Sequence, residues 1–165
     1  MKAKETLITL LAFVAIGLTS YVAYRYERRP DPHLCAICNR DVHGGMSYRL
    51  EVSGHTEYAC CPRCGMHYQM QNGGAVKEAW ATDLATGQKI PASEAYYDEG
   101  GDVQYCTHGE SSVQRTPEGA SVRGYDRCLP TLVAFKERAQ AEAYQKIHGG
   151  RVLTYAEAVE SARAQ

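Results

Sequence analysis

The chain has 165 residues, with 18 Lys and Arg against 19 Asp and Glu, for a formal net charge of −1. It therefore lacks the excess positive charge that marks nucleic-acid-binding domains, and we expect no nucleic acid among its partners. Apart from an apolar N-terminal stretch, its length is enough for one domain or two very small ones.

The first predicted element is an apolar helix, because the stretch from Leu7 to Ala23 contains no charged residue. It is about long enough to cross a slightly thin bilayer if the tyrosines near its end lie at the interface. No clean signal-peptidase site and no lipid-accepting cysteine follow it. The sequence thus predicts a transmembrane anchor over residues 1–27. The signal-like position of this anchor favours an extracytoplasmic, periplasmic location for the globular part.

A ββαβ unit is predicted over residues 35–86, after a stiff, polar linker at 28–34 that contains two prolines. Pro62 suits the first turn of its helix, and Gly73 and Gly74 suit the end of that helix. Asp83 is expected to cap the turn after the last strand. The predicted elements are strand 46–52, strand 56–60, helix 61–71 and strand 76–82.

The second half of the chain repeats the later part of this pattern. Gly149 and Gly150 again follow a helix with apolar residues on one face, and a strand comes next. We therefore predict a second ββαβ unit over 87–165, with a long polar loop at 98–124 in which Asp98 and Glu99 face solvent. The fold class is α+β. The predicted elements of this half are strand 131–135, helix 136–148, strand 151–155 and helix 156–164.

Two Cys-x-x-Cys pairs carry the clearest chemical signal. Cys35 and Cys38 form the first pair, and Cys61 and Cys64 form the second at the predicted start of a helix. Two such pairs separated by a hairpin are typical of a treble-clef-like finger, in which four thiolates hold a structural zinc ion. The alternative interpretations are two disulfides or unrelated buried cysteines. Cys60 leaves the ligand set open, because it could replace Cys61 as the partner of Cys64.

A second group of soft donors could hold Cu(I), which prefers thiolate and thioether ligands. The competing interpretations are ordinary: Met66 would fill the core, and His67 would lie at the surface. Cys106 and Cys128 would close the long loop as a disulfide. The candidate Cu(I) ligands are Met66, His67, Cys106 and Cys128.

Several short motifs outside the cysteines form a pattern that is moderately specific when they are taken together. They lie at strand, turn and helix positions of both predicted units. The motifs are Trp80-Ala81-Thr82-Asp83, Thr86-Gly87, Ile90-Pro91-Ala92, Glu94-Ala95-Tyr96, Ala134-Phe135, Ala141-Glu142-Ala143 and His148-Gly149-Gly150-Arg151-Val152-Leu153.

In these motifs the stretch from Cys35 to Glu157 resembles the NosL family, accessory proteins of nitrous oxide reductase maturation. The resemblance implies a membrane-attached, extracytoplasmic Cu(I)-binding protein with two similar ββαβ units that delivers copper to a copper enzyme. Family members usually carry Cys-x-x-Cys-Gly-Met near their start. Here Asn39 follows Cys38, and the Cys-Gly-Met wording appears at Cys64 instead. The four-cysteine finger is an addition that the resemblance does not explain.

The sequence therefore predicts a membrane-anchored, NosL-like accessory protein without enzymatic activity. A structural zinc ion would stabilise its first unit, and Cu(I) would pass to a copper enzyme or another metalloprotein. One alternative is a zinc-finger interaction module that is tethered to the membrane and moves no metal. An enzyme resembling the organomercurial lyase would need two free cysteines beside a carboxylate, and no such triplet is evident in the sequence.

Overall fold

The computed structural model describes residues 2–27, 31–42, 44–103, 105, 113–116, 119–122 and 128–164. The chain divides into two units, Met1–Pro30 and Asp31–Gln165. The first unit holds a single helix, and the second holds all the strands and the cysteines that the structure describes.

The N-terminal unit is built around helix α1 (Lys2–Glu27). Its segment Thr6–Glu27 has a mean hydropathy of 2.0 and is long enough to cross a membrane. Large apolar side chains from Leu7 to Tyr26 are exposed on every side of the helix. A helix that is apolar all round is typical of a membrane span, and near an N-terminus it is equally typical of a signal sequence.

The first part of the globular unit is a four-stranded antiparallel sheet with one helix. Strands β1 and β2 form a hairpin in which Ser53 (φ 44°) and Gly54 (φ 91°) supply the two left-handed residues of a type I′ turn. The strand order is β2-β1-β3-β4. The elements are β1 (Tyr48–Val52), β2 (His55–Ala59), α2 (Pro62–Asn72), β3 (Val76–Thr82) and β4 (Lys89–Pro91).

The second part repeats this topology in a three-stranded sheet of order β8-β5-β9. In both parts the first strand of the ββαβ pattern lies between the second and the third, so the predicted α+β fold with two ββαβ units is confirmed. A separate hairpin, β6 with β7, lies between β5 and β8 in the chain. The elements are β5 (Tyr96–Glu99), β6 (Val113–Thr116), β7 (Gly119–Val122), β8 (Leu132–Phe135), α3 (Arg138–His148), β9 (Arg151–Leu153) and α4 (Tyr155–Arg163).

The two sheets meet where β3 ends. Asp83 forms a parallel bridge with Ala134 of β8, and the amide of Leu84 donates to the carbonyl of Ala134 (2.8 Å). The buried carboxylate of Asp83 accepts a hydrogen bond from the hydroxyl of Thr86 (2.5 Å) and one from the amide of Lys136 (3.2 Å). Asp83 thus caps its turn as predicted and also ties the first sheet to the second.

The prediction of a solvated loop over 98–124 is wrong at two places. Asp98 and Glu99 belong to β5 and are 1% and 5% exposed. Residues 113–122 contain the hairpin of β6 and β7. Two adjacent acidic residues followed by glycines are typical of loops, and the partners that bury them lie far away in the chain.

The carboxylate of Asp98 is buried, and neither of its oxygens has a hydrogen-bond partner among the described residues. Burial raises the pKa of this carboxyl from its ordinary 3.8 to about 6, although the nearby His148 opposes the shift. The folded state therefore favours the protonated form, and the resulting stability is present below about pH 4 and lost as the pH rises through 6.

We expect Asp98→Asn to raise the free energy of unfolding at pH 7.5 by about 2 kcal/mol, because it removes an ionised carboxylate from the interior. At pH 4 the gain should vanish. Denaturant unfolding of the full chain in detergent at both pH values measures the difference. Glu78 lies on the exposed part of β3, so Glu78→Gln is the control. It should leave the free energy of unfolding nearly unchanged at both pH values. A gain that does not depend on pH would contradict the assignment.

Helix α2 packs so closely on β1 that residue 65 has no room for a side chain. A Cβ at Gly65 would overlap the ring of Tyr48, which is fully buried and donates a hydrogen bond from its hydroxyl to Oε1 of Gln69 (2.8 Å). We expect Gly65→Ala to destabilise the protein by about 1–3 kcal/mol, because overpacking outweighs the gain in helix propensity. Denaturant unfolding of the full chain measures this loss.

Gly74→Ala is the matched control, because no heavy atom lies within 4 Å of a Cβ built at Gly74. If both alanine variants keep the stability of the parent chain, the close contact between α2 and β1 is not a constraint.

Candidate metal centre

The first cysteine pair lies on a tight turn that precedes β1. The amide of Asn39 donates to the carbonyl of Cys35 (2.9 Å), and the amide of Ala36 donates to the carbonyl of Tyr58 in β2 (2.9 Å). Asn39 has φ 55°, a left-handed conformation that asparagine adopts more readily than most residues. The chain can therefore turn directly after Cys38 without a glycine, and the turn is fastened to β2.

The next three cysteines lie where β2 leads into α2. Cys60 follows the last residue of β2, Cys61 is the extended N-cap residue of α2, and Cys64 lies in the first turn of that helix. All three are almost completely buried. The helix N-terminus carries a partial positive charge, which stabilises thiolates near it.

A sixth cysteine comes from the second half of the globular unit. Cys128 precedes β8, and its Sγ lies 3.7 Å from that of Cys60 and 3.6 Å from that of Cys64. Nη1 of Arg40 lies 3.7 Å from the same sulfur. Residues from both ββαβ units thus build one cluster of sulfur atoms.

The six sulfur atoms fall into two overlapping groups of four. Within each group all Sγ atoms lie within 4.8 Å of one another. Cys60 and Cys64 belong to both groups, and no disulfide joins any of the six described cysteines. The groups are Cys35, Cys38, Cys60 and Cys64, and Cys60, Cys61, Cys64 and Cys128.

The thiols of the cluster differ in acidity because they share hydrogen bonds. The bond with Cys128 raises the pKa of the Cys38 thiol, but the bonds with Cys35, Cys60 and Cys64 outweigh it and hold that pKa well below the ordinary value. In contrast, the hydrogen bonds with Cys128, Cys35 and Cys38, together with burial, raise the pKa of Cys64 against the opposing bond with Cys60.

The predicted zinc ligands are divided between the two groups. Cys35, Cys38 and Cys64 lie together, and the fourth sulfur of that group belongs to Cys60, whereas Cys61 lies in the other group. The ligand set with Cys61 thus stays a prediction, and the alternative with Cys60, also weighed from the sequence, has the shorter separations.

The candidate Cu(I) ligands have different positions. Cys128 joins the cluster, and Cys106 lies outside the described residues. Met66 is buried in the hydrophobic core. His67, on α2, belongs to neither group of converging donors within the described part of the chain. Of the four, only Cys128 is placed in the cluster.

Arg63 was not identified from the sequence, although it lies between Cys61 and Cys64. Its guanidinium is 0% exposed. Nε donates a hydrogen bond to the carbonyl of Pro130 (2.8 Å), and Nη2 donates one to Oε1 of Glu99 (2.5 Å). It therefore ties the start of α2 to β5 and to the segment that carries Cys128. No local signal reveals this role, because an Arg at a helix start is ordinarily a surface residue.

The carboxylate of Glu99 is the centre of this buried network. It also accepts hydrogen bonds from Arg151 (2.6 Å) and from the hydroxyl of Ser161. Burial opposes its ionisation, but the hydrogen bonds from Ser161, Arg63 and Arg151 outweigh that effect and hold the pKa of Glu99 below its usual range. The hydrogen bonds thus favour the negatively charged carboxylate of Glu99 opposite the guanidinium of Arg63.

The donor set fits a thiophilic metal ion. Thiolate sulfurs that converge from a tight turn and a helix start are typical ligands of zinc, and soft sulfur ligands also select Cu(I). Cys35, Cys38, Cys60, Cys61, Cys64 and Cys128 can hold such an ion, and the donors alone do not decide between the two metals.

Fold and site together define a protein of α+β architecture with a cluster of six cysteines that could hold a metal ion. Its fold is similar to that of the crystal structure of the copper chaperone NosL from Shewanella denitrificans, with a TM-score of 0.56 and 18% sequence identity. The match covers 79% of this chain and 92% of that one. The resemblance seen in the sequence is thus confirmed at the level of the fold. No family model and no curated protein sequence matched the chain.

Proposed function

We propose that this protein is a non-catalytic accessory protein that binds Cu(I) through its cysteine cluster and delivers it to a metalloprotein. The observation that carries this proposal is the convergence of six sulfur atoms on a fold similar to that of a copper chaperone. Thiolates form strong bonds to Cu(I) and compete well against nitrogen and oxygen ligands.

Delivery requires a sulfur that a partner can reach. Five of the six cysteines are at most 2% exposed, and Cys38 alone is partly exposed. Transfer would then begin at Cys38, with a ligand of the partner displacing its sulfur first.

The apolar helix α1 supports attachment to a membrane. A single span would keep the globular unit at the bilayer surface, on the extracytoplasmic side that the sequence favours. The partner would then be a copper enzyme or another metalloprotein that receives its metal on that side of the membrane.

The burial of five sulfurs favours a second candidate function. Buried thiolate sites that hold zinc commonly stabilise a fold, and such a site supplies about 10 kcal/mol or more of binding free energy. Cys35, Cys38 and Cys64 with Cys60 or Cys61 would then hold a structural zinc ion, and the protein would be a membrane-tethered interaction module.

Competition with a Cu(I) chelator separates the two candidates. The full chain in detergent should take Cu(I) from the chelator under reducing conditions and then pass it to an added copper-binding acceptor. Cys38→Ser should slow the transfer to the acceptor at least tenfold if transfer begins at Cys38. Zinc that copper cannot displace, with no Cu(I) taken from the chelator, would overturn copper delivery and leave the interaction module.

A further inference from the structure

We propose that the six cysteines form one binuclear centre, in which Cys60 and Cys64 bridge two metal ions. Cys35 and Cys38 would complete the first ion's coordination, and Cys61 and Cys128 would complete the second. Each ion would be a thiophilic d¹⁰ ion with four thiolate ligands. The proposal rests on the metal binding in the proposed function and is independent of delivery.

The sulfur separations match tetrahedra that share an edge. With a metal–sulfur bond of about 2.3 Å, the edge of a tetrahedral site is about 3.8 Å. The Sγ atom of Cys60 lies 3.5 Å from the Sγ of Cys38, 3.7 Å from that of Cys128 and 3.9 Å from that of Cys61. The Sγ atoms of Cys64 and Cys128 are 3.6 Å apart. A site for one ion would bring together four sulfurs, and this cluster holds two more at the same spacing.

The two additional cysteines come from different parts of the chain. Cys61 is the N-cap residue of α2, and Cys128 is brought in from the segment before β8. A buried cysteine often serves only as a small apolar residue. Cys128 differs from that case because its sulfur lies 3.7 Å from Nη1 of Arg40 and 3.6 Å from the sulfur of Cys64, and so faces polar groups rather than an apolar core.

The charge of the cluster also favours two ions. If all six thiols ionise, a single divalent ion offsets only two of the negative charges inside a buried site. Two divalent ions offset four of these charges. The positive charge of Arg40 and the N-terminus of α2 stabilise the negative charge that remains. The bridging positions fall to Cys60 and Cys64, because these are the two sulfurs that belong to both groups of four.

Native mass spectrometry of the full chain, released from detergent after titration with Cd²⁺ or Zn²⁺ under reducing conditions, counts the ions. We expect two per chain at saturation. The Cys61→Ser/Cys128→Ser double variant should bind one, since it keeps the first group of four, and Cys64→Ser should lose the two-ion form. Saturation of the parent chain at one ion would overturn the binuclear centre while leaving Cu(I) delivery open.

A second measurement on the parent chain needs no variant. With ¹¹³Cd bound, shared thiolates should give two cadmium signals that are coupled to each other. Two uncoupled signals, or a double variant that still binds two ions, would show separate sites and contradict the bridging role. A chain that binds neither Cd²⁺, Zn²⁺ nor Cu(I) would instead overturn the proposed function together with this inference.

Discussion

Replacing Arg63 by alanine is expected to lower the free energy of unfolding by about 3–5 kcal/mol, the usual cost of breaking a buried ion pair by removing one partner. Glu99 would remain buried in β5 without the guanidinium that lies 2.5 Å from it, and the carbonyl of Pro130 would lose its donor. Denaturant unfolding of the full chain in detergent measures the loss, with the metal concentration held constant because bound metal stabilises the folded state.

Arg151→Ala is the matched control, because Arg151 contacts the same carboxylate but is 62% exposed. Exposed pairs contribute about 0–1 kcal/mol, so this variant should be close to the parent. The Arg63 variant should also bind metal less tightly, because Arg63 holds the segment of Cys128 against α2. Equal stabilities of the two variants would show that the buried network does not join the two ββαβ units.

Exchanging Cys60 for serine is expected to weaken metal binding far more than exchanging Cys61. Cys60 belongs to both groups of four sulfurs, whereas Cys61 belongs to one. Loss of a supporting hydrogen-bond partner already costs about 10–100-fold in metal affinity, so loss of a ligand shared by both groups should cost more than 100-fold. Competition with a zinc chelator, followed by metal analysis, measures the affinity of each variant.

The two cysteines are adjacent and equally buried, so each is a control for the other. Cys61→Ser should keep a tightly bound ion in the group that contains Cys35 and Cys38. If Cys61→Ser loses that ion and Cys60→Ser keeps it, the ligands are the two Cys-x-x-Cys pairs, and Cys60 is not a ligand of that ion.

The local parts of this fold could be predicted from the sequence, because their signals are local. Turn residues, glycines after helices and the spacing of apolar residues predicted the strands and the helix of the first unit, and the last two strands and the helices of the second, but not its first strand β5. The strand Val76–Thr82 was predicted with the observed bounds. Asp83 was also predicted to cap its turn, because the hydroxyl group of Thr86 that it binds there is only three positions away in the chain.

The site could be predicted only in part, because its geometry depends on distant residues. The spacing of Cys35, Cys38 and Cys64 indicates one metal site, yet spacing cannot decide which of two adjacent cysteines faces it. Cys128 meets Cys64 across 64 positions of the chain, and Arg63 meets Glu99 across 36. Such contacts follow from the packing of the two sheets, which no short pattern encodes.

X-ray absorption spectroscopy of the metal-loaded full chain tests most directly whether the cysteine cluster is the metal centre. We expect a first shell of sulfur alone, at about 2.3 Å for zinc, with a second metal on the order of 3 Å away. A first shell containing nitrogen or oxygen would contradict it, because the ion would then lie outside the cluster built by the six cysteines.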